Sequence, residues 1–89
     1  MDEKTFERID RETLKALLNA LIVTHFVLYE RGDHSWTLTK SVRGRDGSLV
    51  LDQVVNRMTR YTKIKVLDSR LNESTESITI HFAFEKLEE

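Results

Sequence analysis

Residues 77–85 read SITIHFAFE, and the fold turns on taking this run as a strand. Side chains along a strand point alternately to opposite faces, so Ile78, Ile80, Phe82 and Phe84 make one apolar row. Thr79 and His81 then point the other way. One such row must be covered, and the periodicity elsewhere in the chain supplies the cover.

Working back, SRLNESTE (69–76) is a polar turn and TKIKVLD (62–68) again alternates with period two. Before it, Ser48 stands where a helix N-cap is needed, and Leu51, Val54, Val55 and Met58 follow at helical spacing. FVLYERGDHSWTLTKSV (26–42) holds two β-rich runs around Gly32-Asp33, a hairpin signal that places Trp36 beside Leu38 against the helices. At the start, Asp10 is a good N-cap with Glu12 in the first turn, where a negative charge suits the helix dipole. Leu14, Leu17, Leu18, Leu21 and His25 share one face, so the spacing predicts a first helix from about Asp10 to Thr24.

The order is therefore α-β-β-α-β-β, in two pseudo-repeats of about 10–42 and 48–85. A shift of 37 residues lays Leu14, Leu17, Leu18 and Leu21 on Leu51, Val54, Val55 and Met58, and Val27 on Ile64. Two such units make a single α+β domain over 1–89: a two-layer sandwich, with a four-stranded antiparallel sheet and two helices on one face. This is the arrangement of a ferredoxin-like fold whose first strand has been moved to the end. So widely used an architecture says nothing about function.

Composition narrows the function classes. At 89 residues, with 39% hydrophobic and 33% charged residues, the chain has a thin stability margin. It must use nearly every large apolar group in one core or share surface with a partner. There are no cysteines, which excludes disulfides and thiolate zinc sites, and no prolines. The longest apolar run, ALIVTHFVL (20–28), falls well short of the ~20 residues that span a bilayer. The acidic start MDEKTFERID lacks the pattern of an export signal, so we expect a cytoplasmic protein without membrane contact.

The net charge of −1 conceals an asymmetry. Residues 43–65 carry six basic side chains (Arg43, Arg45, Arg57, Arg60, Lys63, Lys65) against two acidic, or +4, while residues 66–89 carry two against six, or −4. Either the basic stretch binds an anion or the two stretches neutralise each other in the fold. If it binds nucleic acid, Tyr61 is placed to stack on a base.

Comparing the halves exposes two anomalies. The second helix has Gln53, Arg57 and Arg60 opposite its apolar face, whereas the first has Ala16, Ala20 and Val23, widened by Ile22. The first strand, FVLY, is apolar on both faces. Either Phe26 and Leu28 or Val27 and Tyr29 must point away from the helices, and the repeat alignment leaves Phe26 and Leu28 on the open side of the sheet, where the other strands offer Thr37, Thr39, Lys63, Lys65, Thr79 and His81. An uncovered face should alternate apolar with polar. Ala16, Ala20, Val23, Phe26 and Leu28 are thus the expected interface with a second copy or another protein.

The loop RGRDG (43–47) fits no phosphate-binding spacing, and a tight turn before a helix cap explains its glycines. His25, His34 and His81 lack metal-ligand spacing, and no serine sits in a nucleophile motif. We expect no cofactor, no metal and no catalysis. The expected function is regulation or interaction through a homodimer or a protein partner, with nucleic-acid binding by 43–65 as the alternative.

Overall fold

The computed structural model describes residues 6–86. Its elements run β1 (Phe6–Glu7), α1 (Arg11–Ala20), β2 (Val27–Glu30), β3 (Trp36–Ser41), α2 (Gly47–Thr59), β4 (Ile64–Asn72) and β5 (Ser77–Glu85), with a short 3-10 turn, Gly32–His34, between β2 and β3. The fold is α+β, with two helices and an antiparallel sheet of five strands. Expectation had four; Phe6–Glu7 adds a short fifth by pairing with Glu85 and Phe84.

The register places β5 between β4 on one edge and β3 on the other, because Ser77 to Phe82 pairs with both. β2 lies beyond β3, through Val27↔Thr39 to Glu30↔Trp36. The strand order is therefore β4-β5-β3-β2, with β1 extending the β3 edge of β5. Ile78, Ile80, Phe82 and Phe84 are all buried in one cluster with Leu14 and Leu18 of α1 and Val50, Val54 and Met58 of α2. Both helices thus cover the row that the alternation of 77–85 demanded. Trp36 and Leu38 are buried beside it.

Local chemistry moves several boundaries. Asp10 caps α1 as expected, its carboxylate accepting from the Thr13 N–H at 3.1 Å. The helix stops at Ala20, not Thr24. Its end is a Schellman turn: the Val23 N–H donates to the Leu18 carbonyl and the Ile22 N–H to the Asn19 carbonyl, both at 2.9 Å. Buried Val23 and Leu18 close it with the apolar contact such turns favour. In α2 the cap is Asp46 rather than Ser48, accepting from the Leu49 N–H at 3.2 Å, so the helix begins two residues earlier at Gly47. Its buried face is Val50, Val54 and Met58, with Leu51 and Val55 half-buried at the margins.

β4 runs four residues beyond the expected strand end at Asp68. A bulge between Val66 and Asp68 makes Leu67 the extra residue and changes the facing of everything after it. Strict alternation from Ile64 would send Asp68 and Arg70 into the core. The bulge sends Ser69 and Leu71 to that side, opposite Ile80 and Ile78, and frees the two charges to solvent.

Candidate functional site

One face of the sheet carries both helices, and the other carries none. Paired strand residues share a face, so two cross-strand rows lie open: Tyr29–Thr37–His81–Asp68 and Val27–Thr39–Thr79–Arg70. The rows grade from apolar on β2 to charged on β4, where Asp68 and Arg70 pair with each other at 2.8 Å. Across β2, β3 and β5 the six central positions hold no carboxylate, lysine or arginine. Val27 and Tyr29 remain 53% and 51% exposed.

This corrects the expected interface. Leu28 faces the helices and is 5% exposed, Phe26 is half-buried against the core, and Val27 and Tyr29 take the open positions instead. Val23 is 1% exposed, so the small-residue stripe of α1 reduces to exposed Ala16 and Ala20. The repeat alignment fails here because Ile22 and His25 adopt positive φ in the connection before β2. Val27 and Ile64 both begin strands, yet they face opposite ways.

The basic segment is divided rather than continuous. Arg43 pairs with Glu76 at 3.2 Å, joining the basic and acidic stretches, and Lys63 pairs with Glu7 at 2.6 Å. Lys63 also precedes β4 and is half-buried, not outward on the sheet. Hydrogen bonding to Glu7 raises its ammonium above the ordinary lysine value of 10.5. Lys65 lies on the open face at β4, and exposed Arg60 caps the end of α2. In the loop, Gly44 has a φ of +75° and Asp46 is committed to the helix cap, which leaves the glycines a structural task.

Arg45 and Arg57 instead meet at a cleft of about 250 Å³ on the helix side, between the α1–β2 connection, the end of β3 and α2. Lys40 and His25 join them there, over a floor that includes Val23, Val50 and Val54. The Lys40 ammonium donates to the Thr24 carbonyl at 2.5 Å, and Arg57 Nη1 donates to the Ile22 carbonyl at 3.1 Å. Burial, and then the Arg45 charge, hold Lys40 below its ordinary value. Among the described residues no carboxylate lines this cleft. Lys40 and His25 were missed as site residues. The available signal was Lys40 itself, a charge at the core-facing phase set by Trp36 and Leu38.

Ser35 and His81 also come together, at 3.0 Å between Oγ and Nε2. Ser35 is buried and its hydroxyl donates to the Gly32 carbonyl at 3.0 Å, and His81 donates to it in the tautomer with Nε2 protonated. The contact ties the hairpin turn to β5. Among the described residues no three His, Asp or Glu side chains converge as a metal site, and no helix is long and apolar enough to cross a membrane. Comparison with protein-family models, curated proteins and solved structures gave no match.

Proposed function

We propose that this chain is a small non-enzymatic interaction domain that works as a homodimer, two copies meeting through the open faces of their sheets. The observation that carries the reading is the uncharged patch around Val27 and Tyr29, in a chain where 33% of residues are charged. Depletion of charge distinguishes the cores of protein interfaces. A twofold contact lays a patch on itself, so a patch without formal charge meets no repulsion from its own copy. The threonine hydroxyls both donate and accept, which suits self-pairing. A domain of this size can ill spare such apolar surface to water.

The strand order β4-β5-β3-β2, with both helices on one side, supports reading the architecture as a ferredoxin-like fold with its first strand moved to the end. In that layout the helix-free face is the broad surface left for a partner. Sedimentation of the chain and of Tyr29→Lys tests the proposal. The chain should sediment as a dimer at micromolar concentration and the variant as a folded monomer. A wild-type monomer at about 100 μM, a weaker affinity than a functional homodimer needs, would end it.

A further inference from the structure

We propose that the cleft formed by His25, Lys40, Arg45 and Arg57 binds a small phosphorylated ligand. This goes beyond the homodimer reading and concerns the opposite, helix-bearing side of the sheet. Several cations of this chain, though not Arg11, have carboxylate partners: Arg43 has Glu76, Lys63 has Glu7 and Arg70 has Asp68. Those of the cleft do not. Lys40 and Arg57 each donate to one backbone carbonyl, and Arg45 has no side-chain partner among the described residues.

Three positive groups therefore line one hollow whose own lining holds no carboxylate among the described residues, although Arg45 also borders a second hollow with Asp46, Glu73 and Glu76. Lys40 is partly withdrawn from water to line the first. Burial disfavours the charged form of Lys40 there, and an anion in the hollow would offset that cost. The backbone beside it is strained in the same sense. Ile22 and His25 hold φ of 64° and 56°, and a β-branched residue adopts that region only when its surroundings impose it. Through the Ile22 and Thr24 carbonyls, that strained connection orients Arg57 and Lys40.

The remaining donors define the ligand. An ammonium has three N–H groups and a guanidinium five, so most stay free after the carbonyl contacts. Three converging cations match a doubly charged phosphate monoester better than a single carboxylate or a singly charged phosphodiester. The volume of about 250 Å³ lies below the range of drug-sized sites, and the valine floor accepts a short apolar body.

Titration with pyrophosphate at constant ionic strength, followed by proton–nitrogen correlation spectra, tests the assignment. Pyrophosphate should shift the signals of Val23 to His25, Gln53 and Arg57 saturably, with inorganic phosphate weaker at the same signals. Arg45→Gln, which removes no contact of the folded chain, should weaken binding at least about tenfold, and Arg57→Gln likewise. Lys63→Gln, outside the cleft, should leave it unchanged. Shifts that do not saturate, or that survive Arg45→Gln and Arg57→Gln alike, would overturn the proposal. Tighter binding of a single-stranded oligonucleotide than of pyrophosphate, lost in the same variants, would replace the small ligand by a nucleic acid. The sedimentation behaviour is read separately, so either proposal can fail alone.

Discussion

The N–H of Val23 reaches back to the carbonyl of Leu18 at 2.9 Å, closing α1 around an isoleucine in the left-handed region. Glycine is the residue that such a turn selects, and Ile22, 61% exposed, gains little from burial. Ile22→Gly should raise the unfolding free energy by about 0.5–1 kcal/mol, the relief of strain less the entropy glycine adds to the unfolded chain. Urea denaturation measures it. A loss of stability would mean that the Ile22 side chain is held by contacts worth more than its strain.

In α2, Val54 and Gln53 are neighbours on opposite terms: Val54 is 3% exposed, Gln53 is solvated. Val54→Ala should cost about 1–3 kcal/mol through lost methyl burial and the cavity left behind, and Gln53→Ala almost nothing. Equal costs would place the buried face of α2 elsewhere.

These two cases mark what sequence could and could not disclose. The row Ile78, Ile80, Phe82, Phe84 was legible because a strand with one covered face writes its phase into every second residue. β2 has apolar residues on both faces, so its phase was set by the path of residues 21–26. The turns in that path use Ile22 and His25 where glycine or asparagine would have announced them. The bulge at Leu67 was hidden for a related reason: the chain compensates by changing which residues face in, and no single residue marks the change. The apolar surplus of the first half was visible, but the alternation could not decide between Phe26 with Leu28 and Val27 with Tyr29 as its owners. The cleft joins three elements distant in sequence, and only folding brings Lys40 to Arg57.

The glycines of the chain should respond in order of their surroundings. At Gly44, φ is +75°, so Gly44→Ala should cost about 1 kcal/mol despite open space around it. At Gly47 an added Cβ would lie 2.7 Å from Leu71 Cδ1, the mobile end of a half-buried side chain. Its displacement should roughly cancel the gain of up to about 1 kcal/mol from placing alanine in a helix. Gly32 meets nothing within 4 Å and has no positive φ, so Gly32→Ala should be neutral or stabilising by about 0.5 kcal/mol. Thermal unfolding of the three variants reads the order. A severe loss at Gly32 would expose a constraint in the hairpin turn that its geometry does not suggest.

Arg11 decides which surface of β2 is open to a partner. Its guanidinium lies 5.2 Å from the centre of the Trp36 ring and donates to the Leu28 carbonyl at 2.8 Å. Since Arg31 N–H bonds the Ser35 carbonyl, alternation along the antiparallel pair turns the polar groups of Leu28 outward, toward the free edge. Arg11 thus occupies an edge acceptor that another strand would otherwise take. The far edge is protected differently, by the bulge at Leu67 and the charges of Lys65, Asp68 and Arg70. With both edges blunted, association should proceed face to face through Val27 and Tyr29. Arg11→Ala should cost about 1 kcal/mol for the lost bond and ring contact, leave the proposed dimer intact, and add slow concentration-dependent aggregates through the uncovered edge. Size-exclusion chromatography of Arg11→Ala, Tyr29→Lys and the double variant separates the two routes. If Arg11→Ala alone dissolved the proposed dimer, the contact would run through the β2 edge and the face-to-face arrangement would be wrong.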